Sequence, residues 1–199
     1  IYTTMDNDIQ EKIESVFENT ASFPSAKNAQ AAMIIIDPTN GEIKGMVGGK
    51  GKKTDSRGLN RATQTKRQPG SSFKPLSVYA PSIELKKITA ATILDDEKIT
   101  IGDWTPKNSY NGYKGEMPLR RALEISCNTT AVKTLQNLTI DVSYNYLKNK
   151  FHISTLENAD KALSPLSLGG LTNGVTLKEL AAAYGVLANT GHYIKPHTY

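Results

Sequence analysis

Little in this chain points to metals, disulfides or membranes. One cysteine in 199 residues, Cys127, excludes an internal disulfide, and a lone buried-type thiol reads as a small apolar filler. The three histidines, His152, His192 and His197, lack the H-E-x-x-H spacing or close pairing that a zinc site needs, so no metal or other cofactor is expected. No run of 18 apolar residues and no charged start followed by a signal-type apolar core is present, so the segment is expected to be soluble as it stands. Internal repeats and low-complexity tracts are absent too.

What is present is a chain long enough for one cored domain, with a formal charge of +5. Much of that charge lies in one stretch, where Lys44, Lys50, Lys52, Lys53, Arg57, Arg61, Lys66 and Arg67 are opposed only by Glu42 and Asp55. No zinc-finger spacing, RNA-binding aromatic signature or recognition-helix pattern accompanies it, which argues against nucleic acid. The cluster reads as a solvated face, or as a surface close to anionic polymers or lipid head groups.

Periodicity places the elements. Ile9, Ile13, Val16 and Phe17 fall at helical spacing and predict a helix from about Asp6 to Asn19. Met33 to Ile36 and Glu42 to Val47 read as two strands of a hairpin around Asp37-Pro38-Thr39-Asn40-Gly41. Gly48 to Arg57 reads as an exposed loop. Helical patterns run from Leu119 to Ile125 and from Ala131 to Leu138, and Thr176 to Glu179 is a capping box that opens a helix over 177–189. Two leading strands followed mostly by helix make an unusual inventory for a complete domain.

The chemistry concentrates at Arg67-Gln68-Pro69-Gly70-Ser71-Ser72-Phe73-Lys74-Pro75. Pro69 and Gly70 favour a turn, and Pro75 is tolerated only in the first turn of a helix, so a helix should begin at about Ser71. Residues three apart lie on one helix face, which puts Lys74 within reach of the Ser71 hydroxyl. A serine attacks a carbonyl only when a base takes its proton, and lysine is a base only when neutral. Lowering its pKa from about 10.4 to near 7 costs on the order of 4–5 kcal/mol, which burial or a neighbouring cation can supply. The N–H groups at the helix start point to where an oxyanion would form.

S-x-x-K joined to S-x-N and K-T-G marks serine acyl-transfer enzymes. S-x-N occurs at Ser109-Tyr110-Asn111, Ser126-Cys127-Asn128 and Ser143-Tyr144-Asn145. Only the middle copy lies in a short loop between two helical patterns, so Ser126 and Asn128 are the candidates. K-T-G does not occur.

With these residues in view, the chain resembles the transpeptidase domain of class A penicillin-binding proteins along essentially its whole length. The likeness rests on Tyr2-Thr3-Thr4-Met5-Asp6, on Leu59-Asn60-Arg61-Ala62-Thr63 leading into Arg67-Gln68-Pro69-Gly70-Ser71, and on Pro106-Lys107-Asn108. It rests also on Leu119-Arg120-Arg121-Ala122-Leu123 before Ser126, and on Ser167-Leu168-Gly169-Gly170 before Gly174-Val175-Thr176. The resemblance implies an α/β fold of the α+β type, the serine β-lactamase-like antiparallel five-stranded sheet flanked by helices. Residues 1–199 would be its N-terminal portion, without the strands that carry K-T-G.

Those strands are expected on a complementary C-terminal segment, cut from this chain or present as a second polypeptide. They should pair with 33–47, supply a second oxyanion donor, and wall in Lys74 so that it loses its proton. The implied reaction is peptidoglycan cross-linking. Lys74 deprotonates Ser71, which attacks the penultimate D-alanine of a stem peptide; Ser126 relays the proton; Asn128 binds the donor backbone and fixes Lys74. β-Lactams would acylate Ser71. The parent protein would be anchored by an N-terminal membrane helix on the extracytoplasmic face of a bacterial membrane, usually with a glycosyltransferase domain.

Two other readings stay open. A carboxypeptidase or β-lactamase would use water at the acyl-enzyme, but the nearest match to the E-x-x-L-N motif of class A β-lactamases is Glu116-Met117-Pro118-Leu119-Arg120, with arginine in the asparagine position. A non-catalytic penicillin-binding scaffold or sensor would suit the incomplete motif set.

Overall fold

The computed structural model describes residues 2–23 and 29–199. They divide into two compact units, one built from Ile1–Arg67, Phe151–Ser154 and Val175–Tyr199, the other from Gln68–Lys150 and Thr155–Gly174.

The first unit is organised on a hairpin. Helix α1 (Asn7–Glu18) starts where expected, its first turn capped by the Asp6 carboxylate, and it buries Ile13 and Phe17. Strands β1 (Met33–Ile36) and β2 (Ile43–Val47) pair antiparallel, with Ile34 opposite Met46 and an irregularity between Ile35 and Ile36. Short α2 (Arg61–Gln64) is capped by Asn60, and β3 (Lys66–Arg67) pairs with β6 (Val175–Thr176). Helix α8 (Leu177–Ala188) opens on the expected capping box, in which Thr176 and Glu179 bond each other's backbone N–H.

The structure narrows where further strands could join this hairpin, because β2 is bonded on its far side: the Asp6 N–H reaches Lys44 O (2.9 Å), the Gln10 amide takes both the N–H and C=O of Met46 (2.8 and 3.1 Å), and His197 C=O receives the Ile43 N–H (2.9 Å). The edge that no other strand of the described residues takes therefore belongs to β1 alone. The five-stranded sheet is incomplete here, as expected: the described residues form three separate two-stranded pairs. The fold is mixed α/β with a partial sheet.

The second unit is more than helix, because β4 (Ile93–Asp96) and β5 (Gly115–Pro118) form an antiparallel ladder. Acid-ending I-L-D-D and proline-ending G-E-M-P carry no alternating pattern, so propensity alone hides them. After them come α4 (Leu119–Glu124), α5 (Asn128–Leu138), α6 (Ile140–Asn149) and α7 (Leu163–Leu168). Helix α5 is the centre, with Ala131, Val132, Leu135 and Leu138 fully buried. On its outer side the Lys133 ammonium ties it to β4 through Asp95 C=O (2.9 Å), with the Glu97 carboxylate as a further partner (2.8 Å).

The stretch after Gly70 is helical but not uniformly α. A 3-10 turn (Gly70–Phe73) leads through Lys74 to a π-helical turn (Pro75–Tyr79) and then α3 (Ala80–Glu84). The two prolines explain the change of pitch. Pro75 has no N–H for the Ser71 carbonyl, which takes the Lys74 N–H three residues on instead. Pro81 likewise has none for Ser77 C=O, and the buried Ser143 hydroxyl of α6 donates to that carbonyl at 2.6 Å. Ser143, part of a rejected S-x-N copy, is thus a structural donor. Ser143→Ala should destabilise the full-length protein by about 1–3 kcal/mol, whereas Asn145→Ala on the exposed face of α6 should be close to neutral. Urea unfolding of both variants checks this, and equal midpoints would refute it.

Candidate active site

The four residues singled out by motif all lie in the second unit. Ser71 sits in the 3-10 turn, exposed, where the first N–H groups of a helix have no intrahelical acceptor. Neighbouring Ser72 turns its hydroxyl to Pro69 C=O at 2.6 Å. Gly70 stands just before them at φ 55°, in a conformation that favours glycine.

Lys74 is 1% exposed, although nothing in its sequence neighbourhood marks it as a core residue. Its ammonium points at the loop between α4 and α5, and donates to Asn128 Oδ1 (2.5 Å), Ser126 C=O (2.7 Å), Ser126 Oγ (3.2 Å) and Cys127 C=O (3.3 Å). The Ser71 hydroxyl is not among these partners. Burial dominates the electrostatics and pushes the Lys74 ammonium down to about 8, against a smaller opposing influence from Cys127. Helix α5 and its preceding loop thus already bury Lys74 within this chain.

The S-x-N turn is strained in a way that suits its task. Ser126 adopts φ 55°, the left-handed region, and this turns the chain sharply enough that its C=O, its Oγ and the Asn128 amide all converge on one ammonium. Cys127, fully buried with Met117 and Ala122, packs as the filler its composition suggested. The other S-x-N copies are not brought here: Ser109 and Asn111 are exposed in a loop, and Ser143 bonds Ser77.

Two further segments hold the site, and motif reading assigned them no role. Gly169 ends α7 at φ 74° and lies against Gly70, whose N–H donates to its C=O at 3.2 Å. A Cβ on Gly169 would stand 2.1 Å from the Gly70 carbonyl oxygen, so only glycine fits both the conformation and the approach. Asn108 of the Pro106-Lys107-Asn108 landmark accepts the Asn128 N–H at 2.9 Å. A separate groove of about 720 Å³ in the first unit, lined among others by Glu14, Phe17, Lys50, Lys52 and Arg61, contains none of the four motif residues. Of the basic cluster, Lys44 pairs with Glu42, and the remaining seven cations have no carboxylate partner among the described residues.

An exposed serine one turn from a buried lysine of lowered pKa, with a second serine and an amide on the lysine's far side, resembles the arrangement of serine acyl-transfer enzymes that use lysine as base. The family comparison agrees, since residues 31–199 match the model of the penicillin binding protein transpeptidase domain. The chain belongs to that family.

Among its relatives, penicillin-binding protein 1F of Bacillus subtilis is 34% identical over 98% of this chain, and penicillin-binding protein 1A of Clostridium botulinum 36% identical over 100%. The chain spans about a quarter of the length of these relatives, 26% in both cases. The crystal structure of penicillin-binding protein 1A from Haemophilus influenzae matches over 85% of this chain and 25% of its own, with 34% identity and a TM-score of 0.75. A peptidoglycan synthetase from Bifidobacterium adolescentis shares the fold, with a TM-score of 0.84 at 22% identity, over 98% of this chain and 39% of its own.

The lysine and the glycine each set an expectation. If Lys74 is the base, its pKa of about 8 should make β-lactam acylation of the full-length protein climb about tenfold per pH unit below that value and level off above it. A flat profile between pH 6 and 9 would contradict the role of Lys74. Gly169→Ala should cost on the order of 1–3 kcal/mol in stability and slow acylation by displacing Gly70 beside Ser71. Unchanged melting and acylation would show that the Gly70 contact is dispensable.

Proposed function

We propose that residues 1–199 are the N-terminal portion of a D,D-transpeptidase domain that cross-links peptidoglycan stem peptides through an acyl-enzyme on Ser71. The observation that carries this reading is the Lys74 ammonium, buried beside Ser126 and Asn128, with its pKa lowered to about 8. The neutral amine takes the Ser71 proton as Ser71 Oγ attacks the carbonyl of the penultimate D-alanine. Once the amine holds that proton, Ser126 Oγ accepts a bond from the ammonium and turns its own O–H to the leaving D-alanine nitrogen, so that it takes a proton from Lys74 as it gives one up. Asn128 Oδ1 holds the lysine, and its amide engages the donor backbone.

The Ser71 N–H is one oxyanion donor, and the second comes from a strand bearing K-T-G or K-S-G. An amine from a neighbouring stem then takes the acyl group and frees Ser71. β-Lactams enter by the same attack and stop at the ester. The parent protein works at the extracytoplasmic face of a bacterial membrane, anchored by a segment outside this chain, with a glycosyltransferase domain as a further part.

Fluorescent penicillin on the full-length protein tests the reading. Ser71→Ala should abolish covalent labelling with the fold intact, and Asn128→Ala should slow acylation by about 10²–10³-fold. Asn111→Ala and Asn145→Ala should change it little. Persistent labelling of Ser71→Ala, or equal losses at all three asparagines, would overturn the assignment. Analysis of products from stem-peptide substrates separates cross-linking from hydrolysis and from a stalled acyl-enzyme.

A further inference from the structure

The turn that carries Ser126 and Asn128 is held from behind by a buried carboxylate. Asp96 ends β4 with no exposed surface, yet no lysine, arginine or histidine among the described residues pairs with it. Four neutral donors surround it instead. Its Oδ1 accepts from the Thr129 hydroxyl (2.5 Å) and the Asn108 amide (2.8 Å), and its Oδ2 from the Tyr110 hydroxyl (2.6 Å) and the Lys114 N–H (2.9 Å). Burial pushes the Asp96 carboxyl up, but the bonds from Thr129, Tyr110, Asn108 and Lys114 together outweigh it and hold the group at about 2. The carboxylate is therefore acceptor-only under working conditions.

That property decides which way Asn108 faces. An ionised carboxylate can take only the NH₂ end of the amide, so the oxygen end must point the other way. There it accepts the N–H of Asn128 (2.9 Å) and of Thr129 (3.4 Å), the first two residues of α5. Helix α5 needs this, because Cys127 stands at its N-cap and makes no capping bond of its own. The cap thus comes from twenty residues upstream, and it is oriented by Asp96. A further bond closes the loop: Asn128 Nδ2 donates to Lys107 C=O at 2.7 Å, leaving Asn128 Oδ1 for the Lys74 ammonium.

We propose that Asp96 and Asn108 are positioning residues of the acylation site, Asp96 setting the Asn108 amide and the Thr129 hydroxyl so that Asn108 fixes the Asn128 turn against Lys74. The proposal rests on the acylation reading of Ser71 and Lys74 given above. The carboxylate touches neither substrate nor base and acts only through the start of α5. Sub-ångström looseness there moves Asn128 Oδ1 and the Ser126 and Cys127 carbonyls together, because all three lie on the same turn.

The test follows labelling of the full-length protein by fluorescent penicillin over time, so that the acylation rate constant and the final labelled fraction are read separately. Wild type and Ser71→Ala come first. If wild type is not labelled, or Ser71→Ala is, the acylation reading fails and takes this proposal with it. Where wild type labels and Ser71→Ala does not, Asp96→Asn, Asn108→Ala and Thr129→Val should label to the wild-type fraction but about 10–100-fold more slowly. Thr129→Ser, which keeps the hydroxyl, should stay within about twofold of wild type. Wild-type rate constants in Asn108→Ala and Thr129→Val would overturn the proposal. So would a loss confined to the labelled fraction, the mark of a merely unstable protein. Should Asp96→Asn not fold, Asn108→Ala and Thr129→Val decide the matter, since the first removes the acceptor of the Asn128 and Thr129 N–H groups and the second the hydroxyl bond to Asp96.

Discussion

The arrangement depends on one buried cation. Lys74 brings an ammonium into the second unit with almost no access to water, a cost that only a neutralised charge or a full set of acceptors can offset. The acceptors are two backbone carbonyls, a hydroxyl and an amide oxygen, none of them ionised. A carboxylate in their place would hold the proton on the lysine. Neutral acceptors keep the group in position while burial loosens its proton, and this combination suits a base.

The surrounding structure serves that pairing. The lysine comes from a helical stretch whose pitch changes at Pro75 and again before Pro81, and the carbonyls those prolines leave without α-helical donors are met by the Lys74 N–H and by Ser143. The acceptors come from a turn with Ser126 in the left-handed region, a conformation of the kind that persists only when its surroundings over-determine it. Here they do so through the Met117, Ala122 and Cys127 cluster beneath the turn and the polar chain from Asp96 behind it. Gly169 fixes the other partner by lying against Gly70 at a distance that excludes any side chain.

Two negative charges next to each other on β4 illustrate how position divides labour. Asp95 is partly exposed and shares the Lys133 ammonium with Glu97, a contact of modest worth at a surface. Asp96, one residue on and facing the opposite side of the strand, is fully buried and bonded only by neutral donors. Strand alternation alone separates a solvated ion pair from an internal organising charge.

Local physics made much of this readable in one dimension. The Thr176 capping box, the apolar spacing of α1 and the apolar run of β1 are short-range signals, and those elements stand where they were expected. The candidate residues were legible for a similar reason, since the Ser71–Lys74 spacing belongs to one helical turn and Asn128 is flanked by two helical patterns. The depression of the lysine, the donors around Asp96, the orientation of Asn108 and the approach of Gly169 to Gly70 were not. Each joins residues twelve or more apart, and each depends on burial, which no residue carries in its own identity. The β4–β5 ladder was hidden for the same cause, because its strands are defined by backbone pairing and not by side-chain alternation. The amino-acid order alone determined which candidate groups the chain carries; only the tertiary structure, by burying Lys74 among neutral acceptors and surrounding Asp96 with donors, decided their charge and their aim.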